Sequence, residues 1–158
     1  MPFVLFHDHF PEIAERETRT ITVPGKSALG LPAGHYGLVE MYCDEPGCDC
    51  RRVFFYIVSS VREDVEAVVA YGWESPEFYA RWLHDDDPTM IEELRGPALN
   101  LGSPQSRLAP AILEIVKNVV LRDSAYVDRL KAHYRMFRDK IDKQRTATAT
   151  KKKRTSRT

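Results

Sequence analysis

All three cysteines of this chain fall within eight positions, Cys43-Asp44-Glu45-Pro46-Gly47-Cys48-Asp49-Cys50. Hydrophobic, β-forming stretches flank them, Tyr36–Tyr42 before and Val53–Val58 after. Pro46-Gly47 is a turn signal inside the segment. The pattern predicts two antiparallel strands joined by a loop with a metal knot at its base. Cys48 and Cys50 are two apart, so in an extended segment both side chains leave one face. The turn folds Cys43 back onto that pair.

Three soft ligands select zinc or an iron–sulfur cluster over calcium or magnesium. Zinc asks for a tetrahedron of donors, with thiolates about 2.3 Å from the ion. Arg51 and Arg52 follow at once and favour thiolate, while Asp44, Glu45 and Asp49 oppose it. The spacing C-x4-C-x-C is not one of the paired C-x2-C zinc patterns. A disulfide between two of the three, or three reduced thiols, therefore remain as other states. The expectation is one zinc per chain.

A fourth donor has to come from elsewhere. His35 lies at the far end of the strand that leads to Cys43, roughly 25 Å away at ~3.3 Å per residue. His84 borders an acidic loop, and His133 flanks an apolar helical stripe, where a packed or surface histidine is the ordinary role. His9 sits at a break before Pro11, in a segment free to pack beside the loop, and is the preferred fourth ligand. Asp44, Asp49 or a water compete with it. His7 and His9 on one face of an extended segment form a second, weaker chelate candidate. Asp85–Asp87 lacks the spacing of a calcium loop and reads as solvated or as a helix cap. A Cys–His nucleophile is conceivable only without metal. No phosphate-binding glycine loop and no G-x-S-x-G elbow is present.

The 158 residues suit one domain, and a hydrophobic share of 43% is enough for a core. No apolar run approaches the ~20 residues of a membrane span. The start, MPFVLFHDHFPEIAERE, has no basic flank and is not a signal peptide. Clustered cysteines without an export signal place the chain in a reducing cytoplasm. Formal charge is zero, yet six cations and no acid lie from Gln144 onward, leaving 17 cations against 23 acids in the rest. An acidic body carries a basic tail.

Along the chain, Pro11–Glu17 reads as a short helix with Pro at its first position. Thr18–Val23 alternates as a strand, with Arg19, Ile21 and Val23 on one face. Tyr36–Cys43 and Arg52–Ser60 follow. The second of these is apolar on both faces, which predicts a central strand covered on both sides. Glu66–Trp73 reads as a fourth strand, with a helix over Arg62–Ala70 as the competing reading. The period then becomes helical. Ser75-Pro76 caps one helix, Asp85-Asp86-Asp87-Pro88 is either a loop or the cap of a short second ending near Leu94, and Pro110 opens a third. The last helix runs from about Ala125 to Lys140 with Tyr126, Leu130, Tyr134, Phe137 and Ile141 as its stripe. Strands first and helices afterwards predict an α+β fold, an antiparallel sheet of about four strands with C-terminal helices packed on it. The domain covers residues 1–145, and residues 146–158 form a basic tail with no apolar periodicity, expected to be disordered.

The segments FPEIAERETRTITV (10–23), LPAGHYGLVEMYCDEPGCDCRRV (31–53), YGWESPEFYARW (71–82) and AYVDRLKAHYRMFRD (125–139) resemble an uncharacterised family of bacterial proteins with a CDxPxCDC-like motif. Some members carry an added SEC-C-type zinc motif at the C-terminus. That motif is absent here, because the tail has no cysteine. The resemblance implies that Cys43, Cys48 and Cys50 act as a unit; it supplies no reaction and no fourth ligand.

The sequence therefore points to a non-enzymatic zinc-binding domain, its metal structural, acting through an unknown protein partner and not at a membrane. A zinc-dependent hydrolase with Glu40 or Asp49 as base is the alternative. A nucleic-acid binder acting through the tail is a third.

Overall fold

The structure, a computed structural model, describes residues 3–25 and 30–155. Six strands make one antiparallel sheet: β1 (Phe3–Leu5), β2 (Thr20–Val23), β3 (Gly34–Cys43), β4 (Arg52–Ser59), β5 (Asp64–Gly72) and β6 (Ala98–Leu99). The order across the sheet is β1-β3-β4-β5-β6, with β2 sharing the outer edge of β3 with β1. The helices are α1 (Phe6–His9), α2 (Pro11–Glu17), α3 (Pro76–Leu83), α4 (Pro88–Arg95), α5 (Ala109–Asn118) and α6 (Ser124–Thr155), with a 3-10 turn at Val120–Arg122.

The α+β class holds, with six strands where four are expected. The strand reading of Glu66–Trp73 holds over its helical competitor, as β5. The two extra strands, β1 and β6, are three and two residues long. So short a segment has no periodicity of its own. β1 is a strand because Phe3 and Leu5 register opposite Cys43 and Met41 of β3.

Strand alternation sorts the sheet into two unequal faces. On one, Tyr36, Leu38 and Tyr42 of β3, Val53, Phe55 and Ile57 of β4, and Ala67 and Val69 of β5 are all buried. α5 and α6 add Ile112, Val116, Tyr126, Leu130 and Phe137 to the same core. Each fully buried side chain of this size contributes about 1.5–3 kcal/mol. On the other face Phe54, Tyr56 and Val58 of β4 stay half-buried. The expectation that this strand is covered on both sides is therefore corrected. Its second face is apolar because Phe3 stacks on Phe54, ring centroids 4.0 Å apart, with the Arg52 guanidinium over both rings. Arg52 also donates to the Leu94 carbonyl of α4 (2.8 Å), which reaches this face only at its edge.

Helix starts follow local chemistry. The Ser75 hydroxyl accepts from the Phe78 N–H, and Asp87 accepts from the Thr89 N–H, each just ahead of a proline at the first helical position. Asp87 also donates its N–H to Asp85 Oδ1 (2.9 Å), so the aspartate run is a cap and not a cation loop. α6 does not stop near Lys140, where its apolar stripe ends, and its backbone is helical to Thr155. Local preference accounts for that extension: Lys, Arg and Ala are good helix formers, and cations near a helix C-terminus are favoured by its dipole. The rest of the tail, residues 156–158, lies outside the described residues. Among the described residues no helix is long and apolar enough to cross a membrane.

Candidate metal centre

The loop between β3 and β4 is built as its sequence demands. The Cys48 N–H donates to the Glu45 carbonyl (3.2 Å), with Gly47 at φ 75°. Pro at the second position and a left-handed Gly at the third are the chemistry of a type II turn. The turn brings Cys48 back over Cys43. The Cys43 and Cys48 sulfurs and a Glu45 carboxylate oxygen lie within 4.8 Å of one another. Cys50 adds a third thiol through a hydrogen bond to Cys43. Cys43 and Cys50 are buried and Cys48 is half-exposed; none forms a disulfide.

Three thiols and a carboxylate are a donor set that zinc takes. Donors about 2.3 Å from a tetrahedral centre stand roughly 3.8 Å apart, so Cys43, Glu45 and Cys48 need to tighten only by on the order of 1 Å, with Cys50 joining from its hydrogen bond to Cys43. Electrostatics favour the first step. The hydrogen bond from Cys50 holds the Cys43 thiol down at about 6 against the opposing effect of burial, helped by the Glu45 backbone, Cys48 and the Arg138 charge. Cys50 is pushed far up by its hydrogen bond to Cys43 and by burial, and Cys48 is raised by burial and by the neighbouring Cys43 charge. One thiolate thus sits between two thiols, and a cation bound here would displace their protons.

Helix α6 braces the loop from below. Arg138, itself buried, donates to the Cys43 carbonyl (2.6 Å), to the Glu45 carbonyl (3.0 Å) and to Asp142 (2.9 Å). At the far end of the loop the Tyr134 hydroxyl accepts from the Arg51 N–H (3.2 Å), and Arg51 pairs with Asp49 through two bonds of 3.0 and 2.9 Å. The Tyr79 hydroxyl donates to the Arg51 carbonyl (2.8 Å). That last bond depends on Gly72, where an added Cβ would collide with the Tyr79 hydroxyl. Gly72→Ala is therefore expected to destabilise the fold by about 1–3 kcal/mol, read as a lower urea midpoint with the far-UV spectrum unchanged.

The other candidates fall elsewhere. His9 packs its ring edge-on against Phe137 (5.2 Å) and gives its carbonyl to Lys140 (2.9 Å); it stands outside the Cys43–Glu45–Cys48 group. His7 pairs with Asp8 at 3.4 Å. Phe6–His9 is a helical turn, not an extended segment. Positions two apart in a helix point roughly 200° from each other, so the shared face on which the His7/His9 chelate rested is gone. Asp44 is half-buried at the loop entrance. Asp49 is committed to Arg51. Glu45 is the residue that sequence reasoning missed. The available signal was its place directly before Pro-Gly, where the turn carries it back with Cys48.

Glu40, the other base considered for a hydrolase, is buried in the core. It accepts from the Tyr42 hydroxyl (2.6 Å) and faces His133 Nδ1 (2.7 Å). His133 is 2% exposed, has Glu17 at 3.1 Å on its other nitrogen, and lies flat against Phe6 at 4.5 Å. Both ring nitrogens meet carboxylates, so both donate only as an imidazolium. Burial alone would lower this histidine; the hydrogen bonds and charges of Glu40 and Glu17 outweigh burial and raise it. Of the packed and surface roles open to His133 the structure has the packed one, with an ionic network that no periodicity foretells.

Comparison with protein-family models, with curated proteins and with solved structures yields no significant match. The part of the family resemblance that stands is the closeness of the three cysteines.

Proposed function

We propose that Cys43, Cys48 and Cys50, completed by Glu45, hold one zinc ion whose role is structural, and that the protein is a non-enzymatic interaction domain. The observation that carries this reading is the donor group itself, two sulfurs and a carboxylate oxygen within 4.8 Å with the third thiol bonded to one of them. A zinc there closes the loop between β3 and β4 and fixes the register of both strands on α6. Glu45 takes the fourth position in preference to His9 because its carboxylate already belongs to the group. A structural role is favoured over hydrolysis because both candidate bases are engaged, Glu40 by Tyr42 and His133, Asp49 by Arg51. The interaction role draws on the half-buried apolar sheet face around Phe54, Tyr56 and Val58, a surface that a partner protein covers.

Elemental analysis of the untagged, reduced full-length chain tests the metal. About one zinc per chain is expected, falling to near zero in Cys43→Ser and reduced in Glu45→Gln. A chain with no bound transition metal and three freely titrating thiols overturns the reading.

A further inference from the structure

Beyond the candidate metal centre, five lysines and arginines lie on α6 from position 129 to 140. Three are spent inside the protein: Arg129 donates to the Glu17 carbonyl, Arg138 to Cys43 and Glu45, and Lys140 to His9. Lys131 and Arg135 have no hydrogen bond or ion pair among the described residues. They stand one helical turn apart, an i,i+4 like-charge pair that costs helix stability. Both line one concavity of about 290 Å³ together with Arg51, Trp73, Tyr134 and two acids.

The acids of that concavity, Asp49 and Glu74, face Arg51 from two sides, at 2.9 and 3.4 Å. They hold its guanidinium, which lies 4.6 Å from the Phe78 ring centre, and leave the pocket with a net positive charge. Arg51 itself has φ 51°, a left-handed backbone that a non-glycine residue adopts at some cost. Such strain gathers at ligand sites. The remaining wall is aromatic, Trp73 meeting Tyr134 edge-on at 5.1 Å.

We propose that this pocket binds a small phosphate monoester carried on a flat ring, with Lys131 and Arg135 on the phosphate and Trp73 against the ring. Two free cations one turn apart suit a dianion with several oxygens better than a single carboxylate. The arginine fork matches phosphate in particular. The volume admits one small molecule and no polymer, at the lower end of ligand-pocket sizes near ~300 Å³. The site shares Asp49 and Arg51 with the cysteine loop but needs no metal, so its failure and the failure of the zinc reading are separate results.

The test is calorimetric titration of the full chain at low salt with inorganic phosphate, phenyl phosphate and adenosine monophosphate. The two ring-bearing esters are expected to bind at least tenfold more tightly than inorganic phosphate. Lys131→Gln with Arg135→Gln should weaken both esters at least tenfold while leaving the melting temperature in place, since neither side chain holds the fold together. Trp73→Leu should remove the advantage of the esters over inorganic phosphate. The proposal is overturned if no ester saturates at millimolar concentration, or if the double variant binds as wild type does, which would put the anion on other cations such as the basic tail. Equal affinity for inorganic phosphate and the esters would also contradict it.

Discussion

Replacing His133 by alanine is expected to lower stability by about 3–5 kcal/mol, the cost of breaking a buried ion pair and stranding one partner. The stranded partner is Glu40, whose side chain is 2% exposed like that of His133. Glu17 contributes less, because its side chain is 39% exposed and water screens it. The same geometry gives the variant a pH signature. The folded-state value of His133 is raised above the ordinary one near ~6.5. Its contribution is therefore complete below about pH 6.5 and is lost as pH climbs through the raised folded value. Urea titrations from pH 6 to 9 should show wild type losing stability across that range, and His133→Gln losing less. The difference between the two proteins is the readout, because the Cys43 thiol also titrates near the low end. Equal slopes would show that folding leaves the His133 value unshifted, so that the carboxylates do not hold its charge.

Cys48→Ser is expected to cost several kcal/mol, the scale on which losing a structural metal ranks among severe single changes. Cys48 is the informative position. It is half-exposed, so the substitution removes little packing, whereas Cys43 and Cys50 are buried and their loss would mix the two effects. The loop has no apolar side chain of its own to hold it shut. Asp44, Glu45 and Asp49 repel one another across it, and among the described residues Asp49 alone of the three forms an ion pair, with Arg51. The Arg138 bonds to two loop carbonyls hold the backbone but do not neutralise those carboxylates. A bound cation does. Denaturant midpoints of the zinc-loaded proteins make the measurement, and a drop of under about 0.5 kcal/mol, the size of an ordinary surface change, would mean the sulfur holds nothing.

Much of this architecture is legible in the residues because the signals are local. Pro11 and Ser75-Pro76 mark helix starts through backbone chemistry confined to a few positions, and both fall where expected, while Asp87-Pro88, open between loop and cap in the sequence, proves to be a cap. The alternation of Arg19, Ile21 and Val23 likewise survives: Val23 is buried, and Arg19 reaches Asp123 (3.0 Å) and the face of Tyr126. What could not be read depends on partners far away in sequence. Arg138 looks like one more cation on an amphipathic helix, yet it is buried against carbonyls 93 and 95 positions earlier. His133 and Glu40 meet across a similar separation, 93 positions. The half-open second face of β4 has the same origin. Its composition is apolar on both sides, and only the placement of α4 at the edge decides how much of it is covered. At the candidate metal centre the three thiols are evident from spacing. Glu45 is not, because it is one exposed carboxylate in an acidic loop, and only the turn sets it beside Cys43 and Cys48.

Thermal melting of the zinc-loaded full-length chain with and without a strong chelator tests the central claim most directly. A structural ion predicts that the chelator lowers the wild-type melting temperature by on the order of 10 °C, as several kcal/mol does in a domain of this size, and leaves Cys48→Ser, already lowered, where it is. An unchanged wild-type melting temperature after the metal has been removed would contradict a structural role for the cysteine cluster.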